Sequence, residues 1–227
     1  MSKKLKIAII PARKGSKRFP KKNRAKIHGK SLVEHAVLCA HNAKIFDDIV
    51  LTTDDEYFFN LNSKFPFLYV RRRPGIFAED GTSAFEVVSD VLNFRYKSQD
   101  LNICYLQPTS PLRITTDIVD SVSDNSVSVH YDEQNVLKSR HRVNDVFEDL
   151  GIACQVGRRG SKLENLFFNG LFYWISTENF FLQKGFIGPE TQLIETPISR
   201  SFDIDYEYQF HLAKANYDEM YGDHVKK

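Results

Sequence analysis

Apolar and polar positions along the chain fall into blocks that read alternately as strand and helix. Ile7 to Pro11 is a run of five apolar or small residues, which predicts a buried strand. From Ser31 to Ala43 the apolar residues Leu32, Val33, Ala36, Val37 and Ala40 keep the spacing of one helical face, and Ser31 with Glu34 forms a capping box at its start. Ile49 to Thr53 predicts a second strand, after which Asp54-Asp55-Glu56 places acids at the positive end of a helix. Phe67 to Val70 predicts a short third strand, Phe85, Val88, Val91 and Leu92 a helix, and Leu101 to Leu106 a fourth strand. Strands that alternate with helices predict an α/β fold with a mostly parallel, Rossmann-like sheet.

The alternation fails between about Asp132 and Asn165, where polar, glycine-containing sequence such as Gly157-Arg158-Arg159-Gly160-Ser161 replaces it. An irregular stretch of that length inside a compact domain usually has a function of its own. Phe167 to Ile175 resumes as a strongly apolar strand with Asn169-Gly170 inside it. Leu193 to Ile204 approaches a last strand ending Phe202-Asp203-Ile204-Asp205, and the pattern from Tyr206 onward is helical.

Length and composition narrow the class. The 227 residues suit a single domain spanning 1–227. Hydrophobic residues make up 42% and charged residues 26%, as in a globular protein, and no apolar run is long enough to span a bilayer. Met1-Ser2-Lys3-Lys4 leads straight toward a strand without the pattern of a secretory signal, so a cytoplasmic protein is expected, with no membrane partner. Cys39, Cys104 and Cys154 are widely spaced and include no C-x-x-C pair, which predicts reduced thiols and no structural zinc. A net charge of +2 is too small for bulk nucleic-acid binding, so the cations matter by where they cluster.

They cluster directly after the first strand. Arg13, Lys14, Lys17, Arg18, Lys21 and Lys22 put six cations into ten residues, around Gly15 and Ser16 and followed by Asn23. By itself a charge run is a solvated loop. Here Pro11 and Pro20 bracket it, and it leaves the carboxyl end of a strand, where α/β sheets bind anions. A P-loop is excluded, because Gly29-Lys30-Ser31 has Arg24 where the first glycine must stand, and Gly15 lacks the partners of a dinucleotide fingerprint.

Two further strings carry chemistry. Asp203 and Asp205 alternate on extended chain, so their carboxylates project to one side and can share a hard cation such as Mg2+ with phosphate oxygens. The alternative for Asp-x-Asp is a strand end that caps a helix. Leu106-Gln107-Pro108-Thr109-Ser110-Pro111-Leu112-Arg113 fixes the backbone past the fourth strand and presents the Gln107 amide, which can donate and accept toward a base edge.

These strings together resemble the signatures of the acylneuraminate cytidylyltransferases, the CMP-sugar synthetases. The first-strand loop is similar to their Ala-Arg-x-Gly-Ser-Lys-x-x-Pro-x-Lys-Asn segment, and the Gln-Pro-Thr-Ser-Pro-Leu-Arg string is complete. The resemblance implies that Arg13, Ser16, Lys17 and Lys22 bind the triphosphate of CTP. It implies that Asn23, Arg73 and Gln107, with the Asp80, Thr82 and Ser83 segment, surround cytosine. Asn169-Gly170 is similar to the Asn-Gly of the sugar-side strand, so Gln107, Asn169 and Phe172 are the implied sugar contacts, and Asp203 with Asp205 the Mg2+ ligands. On this reading Arg13, Lys17, Lys22, Asp203 and Asp205 carry the catalysis. The stretch 132–165 becomes an insertion that reaches a second subunit of a homodimer.

The sequence also departs from the family. Arg18 stands where the sialate branch has a small residue and resembles the pseudaminate branch. Leu166-Phe167-Phe168 precede Asn169 where sialate enzymes place an arginine for the sugar carboxylate, which leaves Arg140, Arg142, Arg158 and Arg159 as candidates for that duty. Phe167, Phe168, Phe172, Tyr173 and Trp174 predict an apolar wall suited to a 9-deoxy sugar, to which alternation along the strand contributes only every second ring, the others being core. Gln209 stands where many relatives have another aspartate and receives no metal role. The expected activity is transfer of CMP from CTP to the anomeric hydroxyl of a nonulosonic acid, with release of pyrophosphate. The alternatives are another acidic sugar such as 3-deoxy-manno-octulosonate, or a catalytically silent nucleotide-binding subunit.

Overall fold

The computed structural model describes residues 4–97, 99–132, 141–143, 146–148 and 165–221. Strand β1 (Leu5–Ala12) lies inside the sheet and alternates between its two faces. Ala8, Ile10 and Ala12 turn into one buried cluster, Ile7 and Ile9 into another. A strand buried on both sides requires a layer of helix on each face.

The hairpin strands β2 (Lys26–Ile27) and β3 (Lys30–Ser31) follow the basic loop. They lead into α1 (Leu32–Ala43), which Ser31 and Glu34 cap reciprocally as predicted. β4 (Asp48–Thr53) and β5 (Leu68–Arg72) then add to one side of β1. The helix expected between them is absent. Asp55 caps a single 3-10 turn (Glu56–Phe58), and a second (Leu61–Ser63) leads to Pro66, so too few residues remain to nucleate an α-helix.

After α2 (Ala84–Val91), extended by a π-helical turn over Leu92–Tyr96, the chain returns to the other side of β1 as β6 (Leu101–Tyr105). Several elements went unread in the sequence or were read only as irregular chain, among them α3 (Thr115–Val119), β7 (Asn125–Asp132) and the two-stranded ribbon of β8 (His141–Val143) and β9 (Val146–Glu148). β10 (Asn165–Ser176), α4 (Thr177–Gln183), β11 (Gln192–Glu195) and α5 (Glu207–Tyr221) complete the described chain.

The main sheet has the order β11-β7-β10-β6-β1-β4-β5. Only β10 runs against the other strands, being antiparallel to both β6 and β7, so the sheet is mostly parallel as predicted. Helices α1 and α3 pack on one face, α2 and α4 on the other. The chain leaves β1 toward β4 and comes back for β6, which makes the carboxyl edge between β1 and β6 a topological switch point.

The strand predicted to end at Asp205 stops at Glu195 instead. Pro197 has no N–H to donate to a sheet and opens a 3-10 turn over Ile198–Arg200. Asp203 to Asp205 is irregular chain pinned to the β6 loop, with Ile204 N–H donating to Thr109 O at 2.9 Å. The tail is helical as predicted. Among the described residues no helix is long and apolar enough to cross a membrane.

Candidate active site

A cleft of about 640 Å3 opens at the β1/β6 switch point. The loop after β1 supplies Arg13, Ser16, Lys17, Arg18, Lys22 and Asn23 to its wall, the chain after β5 supplies Arg73, Asp80 and Thr82, and β6 with its loop supplies Tyr105 and Gln107. Asp203 and Asp205 close the remaining side. Side chains 190 residues apart in sequence therefore face one space, which the polar strings alone did not require.

The basic loop is held at several points. Asn23 is buried and its Nδ2 donates to Arg13 O at 3.0 Å, so this amide fixes the loop from beneath. Lys14 N–H donates to Asp54 Oδ1 at 2.8 Å, and Lys21 takes the left-handed conformation at φ 58° to start the turn over Lys22–Arg24. Arg24 then forks onto Asp55, with Nε at 2.8 Å from Oδ2 and Nη2 on Oδ1.

The loop cations rest on carboxylates of the cleft. Arg13 Nη1 and Lys17 Nζ meet the two oxygens of Asp80 at 2.6 and 2.5 Å. Those bonds, Lys17 first and then Arg13, hold the Asp80 carboxyl below its ordinary value. Lys22 Nζ and Arg18 Nη2 meet the two oxygens of Asp205 at 2.9 and 2.5 Å. Four cations paired with two acids leave a surplus of positive charge facing the cleft, as an anion site requires.

Arg73 in the cleft lining is buried, and its Nη2 donates to Thr52 O at 2.8 Å and its Nε to Thr52 Oγ1 at 3.2 Å. Burial pulls its guanidinium below the usual arginine range. Gln107 lines the cleft, and among the described residues its side-chain amide has no hydrogen-bond partner. Its backbone is anchored by Arg113, a buried guanidinium that donates to Gln107 O at 2.8 Å, Gly170 O at 3.2 Å and Leu171 O. Arg113 and Tyr105 received no role from the sequence. Tertiary structure alone reveals them, Arg113 by its hold on Gln107 O and Tyr105 by its place in the cleft lining.

Three side chains expected to contact ligand are engaged within the protein. The Ser83 hydroxyl is committed to a capping box at the start of α2, donating to Glu86 Oε2 at 2.7 Å and accepting from Glu86 N–H at 3.2 Å, while Thr82 and Ala84 reach the cleft wall. Asn169 is buried, its Nδ2 donating to Thr196 Oγ1 at 2.6 Å and Ser201 Oγ at 2.9 Å and its Oδ1 accepting from Leu171 N–H at 3.3 Å. Phe172 is fully buried in the core with Trp174, so neither forms the predicted apolar wall. Alternation along β10 sends those rings to the helix layer rather than to the cleft. The Arg140, Arg158 and Arg159 candidates, and the side chain of Arg142, lie outside the described residues.

Asp203 and Asp205 do face the cleft together, although no strand holds them. Ile204 between them is buried against Ile27, Leu32 and Ala213, which turns both neighbours outward. Gln209 Oε1 accepts from Asp205 N–H at 2.7 Å and Tyr206 N–H at 2.8 Å, so Gln209 caps α5 and fixes the backbone of Asp205. Among the described residues the Asp203 carboxylate has no hydrogen-bond or ion-pair partner. Two hard oxygen donors at the mouth of a basic cleft fit a small divalent cation whose other ligands are phosphate oxygens and water.

A family model for cytidylyltransferases matches residues 7–220. The CMP-N,N'-diacetyllegionaminic acid synthase of Legionella pneumophila subsp. pneumophila is 30% identical over 226 residues, covering 88% of this chain and 90% of that protein. The N-acylneuraminate cytidylyltransferase of Streptococcus agalactiae serotype V is 27% identical over 90% of this chain, which spans 51% of that longer protein. In fold the chain is similar to a CMP:2-keto-3-deoxy-manno-octonic acid synthetase solved with CTP, at a TM-score of 0.65 and 17% identity over 95% of this chain and 99% of that one. Because the family match runs unbroken from β1 through the basic loop and the paired aspartates into α5, the chain belongs to the cytidylyltransferase family.

Proposed function

We propose that this cytidylyltransferase joins CMP from CTP to the anomeric hydroxyl of a nonulosonic acid and releases pyrophosphate. The observation that carries the reading is a single cleft with a cationic loop at one wall, paired carboxylates at another and the Gln107 amide at a third. Membership of the family and the legionaminic and acylneuraminic names of its relatives support the same chemistry.

In this reading Arg13, Lys17 and Lys22 hold the β- and γ-phosphates and stabilise the charge that develops on departing pyrophosphate. Arg13 and Lys17 exchange the Asp80 carboxylate for phosphate oxygens as the nucleotide enters. Ser16 and the loop N–H groups add hydrogen bonds. Gln107, positioned by Arg113, reads the cytosine edge, with buried Arg73 beside it and Asn23 fixing the loop below. Asp203 and Asp205 would hold Mg2+, which when bound polarises the α-phosphate and raises the acidity of the sugar hydroxyl. No side chain is asked to form a covalent intermediate.

The acceptor is tested by pyrophosphate release from CTP and Mg2+ with N,N'-diacetyllegionaminic, pseudaminic and N-acetylneuraminic acids. Release with at least one of them, lost by orders of magnitude in Asp203→Asn at unchanged circular dichroism, is the expected result. Absence of release with every acid overturns the reading. We also take the working unit to be a homodimer in the cytoplasm. Tyr131, Leu166 and Phe168, all exposed, share one face of the paired β7 and β10, and a second copy would cover them.

A further inference from the structure

We propose that Arg18 receives the carboxylate of the sugar acid, and that in the free enzyme Asp205 holds its guanidinium in reserve. The inference rests on the proposed reaction. A nonulosonic acid carries its carboxylate on the same carbon as the reacting hydroxyl. The group that recognises that carboxylate must therefore stand within a few ångströms of the acids that orient the hydroxyl.

Among the described residues the cations lining the cleft are Arg13, Lys17, Arg18, Lys22 and Arg73. Arg13 and Lys17 sit on Asp80, Arg73 is buried against Thr52, and Lys22 is packed beneath Asp205 with 13% of its side chain exposed. Arg18 differs from all four. It touches Asp205 at 2.5 Å, keeps 56% of its side chain exposed and lies over the Tyr206 ring at 5.1 Å from the centroid. Tyr206 steadies the guanidinium from one side, and the exposed group can exchange its Asp205 partner.

Asp205 supplies the reason for an exchange. Arg18 occupies its Oδ2 and Lys22 its Oδ1, and Gln209 fixes its backbone N–H. Each Asp205 oxygen thus already faces a cation, and a divalent ion arriving at the same carboxylate repels both, so metal binding favours the release of one of them. Arg18 is the exposed one and is the one to leave. A guanidinium released from one carboxylate is a ready receptor for another of the same shape, so the substrate's carboxylate takes the place that Asp205 vacates. Binding is then ordered, with metal and nucleotide before sugar. The missing arginine ahead of Asn169 is replaced from the phosphate loop.

The experiment compares Arg18→Met and Arg18→Lys with the parent enzyme, folding being checked by circular dichroism. Mn2+ binding is titrated by electron paramagnetic resonance without nucleotide or sugar, and the KM values for CTP and sugar acid are measured by pyrophosphate release. Arg18→Met should raise the sugar KM by roughly ten- to a hundredfold, the worth of a charge-assisted hydrogen bond, and leave the CTP KM unchanged. It should also bind Mn2+ more tightly, because Asp205 has lost a competitor, and Arg18→Lys should recover part of the sugar affinity. A residue that only supported the fold would weaken both. Parental activity with an unchanged sugar KM in Arg18→Met, a CTP KM that rises with it, or weaker Mn2+ binding overturns the inference alone. A parent enzyme that releases no pyrophosphate with any acid overturns the reaction and this assignment together.

Discussion

Ser83 and His35 show how single side chains divide between site and scaffold. The hydroxyl expected at the base is a helix cap, so Ser83→Ala should cost about 1 kcal/mol of stability in urea denaturation. The ratio of kcat/KM for CTP over UTP should stay at the parental value, and a fall in that ratio would return Ser83 to the site. His35 is half-buried, with Nε2 3.0 Å from Ile27 O and the Tyr217 ring edge-on at 5.2 Å. Burial pulls its imidazole below the ordinary value of 6.5. Between the folded value and 6.5 the unfolded chain binds a proton that the folded chain does not, so stability is full above 6.5 and falls as pH drops through that window. The decline in melting temperature from neutral to mildly acid pH should be shallower in His35→Gln than in the parent, and parallel curves would refute the assignment.

At the scale of elements, the informative one is β10. Its register against β7 shifts between Phe168 and Tyr173, and Gly170 sits in that bulge at φ 73°. A Cβ at Gly170 would clash with Gln107 Oε1 and lie 2.8 Å from Ser110 Oγ. The Asn-Gly pair is therefore a device for bringing strand backbone against the loop of Gln107 and Ser110. Asn169 ties off the bulge and glycine leaves room for Gln107. Gly170→Ala should lose about 1–2 kcal/mol from the left-handed backbone alone and, by displacing Gln107, lower kcat/KM for CTP more than it lowers stability. Kinetics at the parental level in a folded Gly170→Ala would mean that the Gln107 amide does not read the base.

At the scale of the whole molecule, the exposed face shared by β7 and β10 bears on assembly. Leu166 and Phe168 point to the same side of β10, where Leu166 pairs with Tyr131, and all three rings and chains are exposed. Leu166→Asp with Phe168→Asp should convert a dimer into a monomer in multi-angle light scattering and leave circular dichroism unchanged. A parent enzyme that is monomeric and active at micromolar concentration would rule the dimer out.

The sequence by itself determined the layered α/β fold, because the apolar periods of β1, α1, β4 and β6 are set by local geometry and survive any packing. It also marked the basic loop and the aspartate pair, since a charge cluster between prolines and an alternating acid pair are local chemistry. What it could not determine was which polar atoms stay available. Ser83, Asn169 and Gln209 have the composition of site residues, yet their hydrogen bonds close onto Glu86, Thr196, Ser201 and the Asp205 backbone. Arg113 and Arg18 are one arginine among many in the sequence, but burial gives the first three carbonyls to hold and exposure gives the second an exchangeable carboxylate. Tertiary structure decided these points because a hydrogen bond depends on who stands within 3 Å, and residues up to 187 positions apart in the chain made that choice.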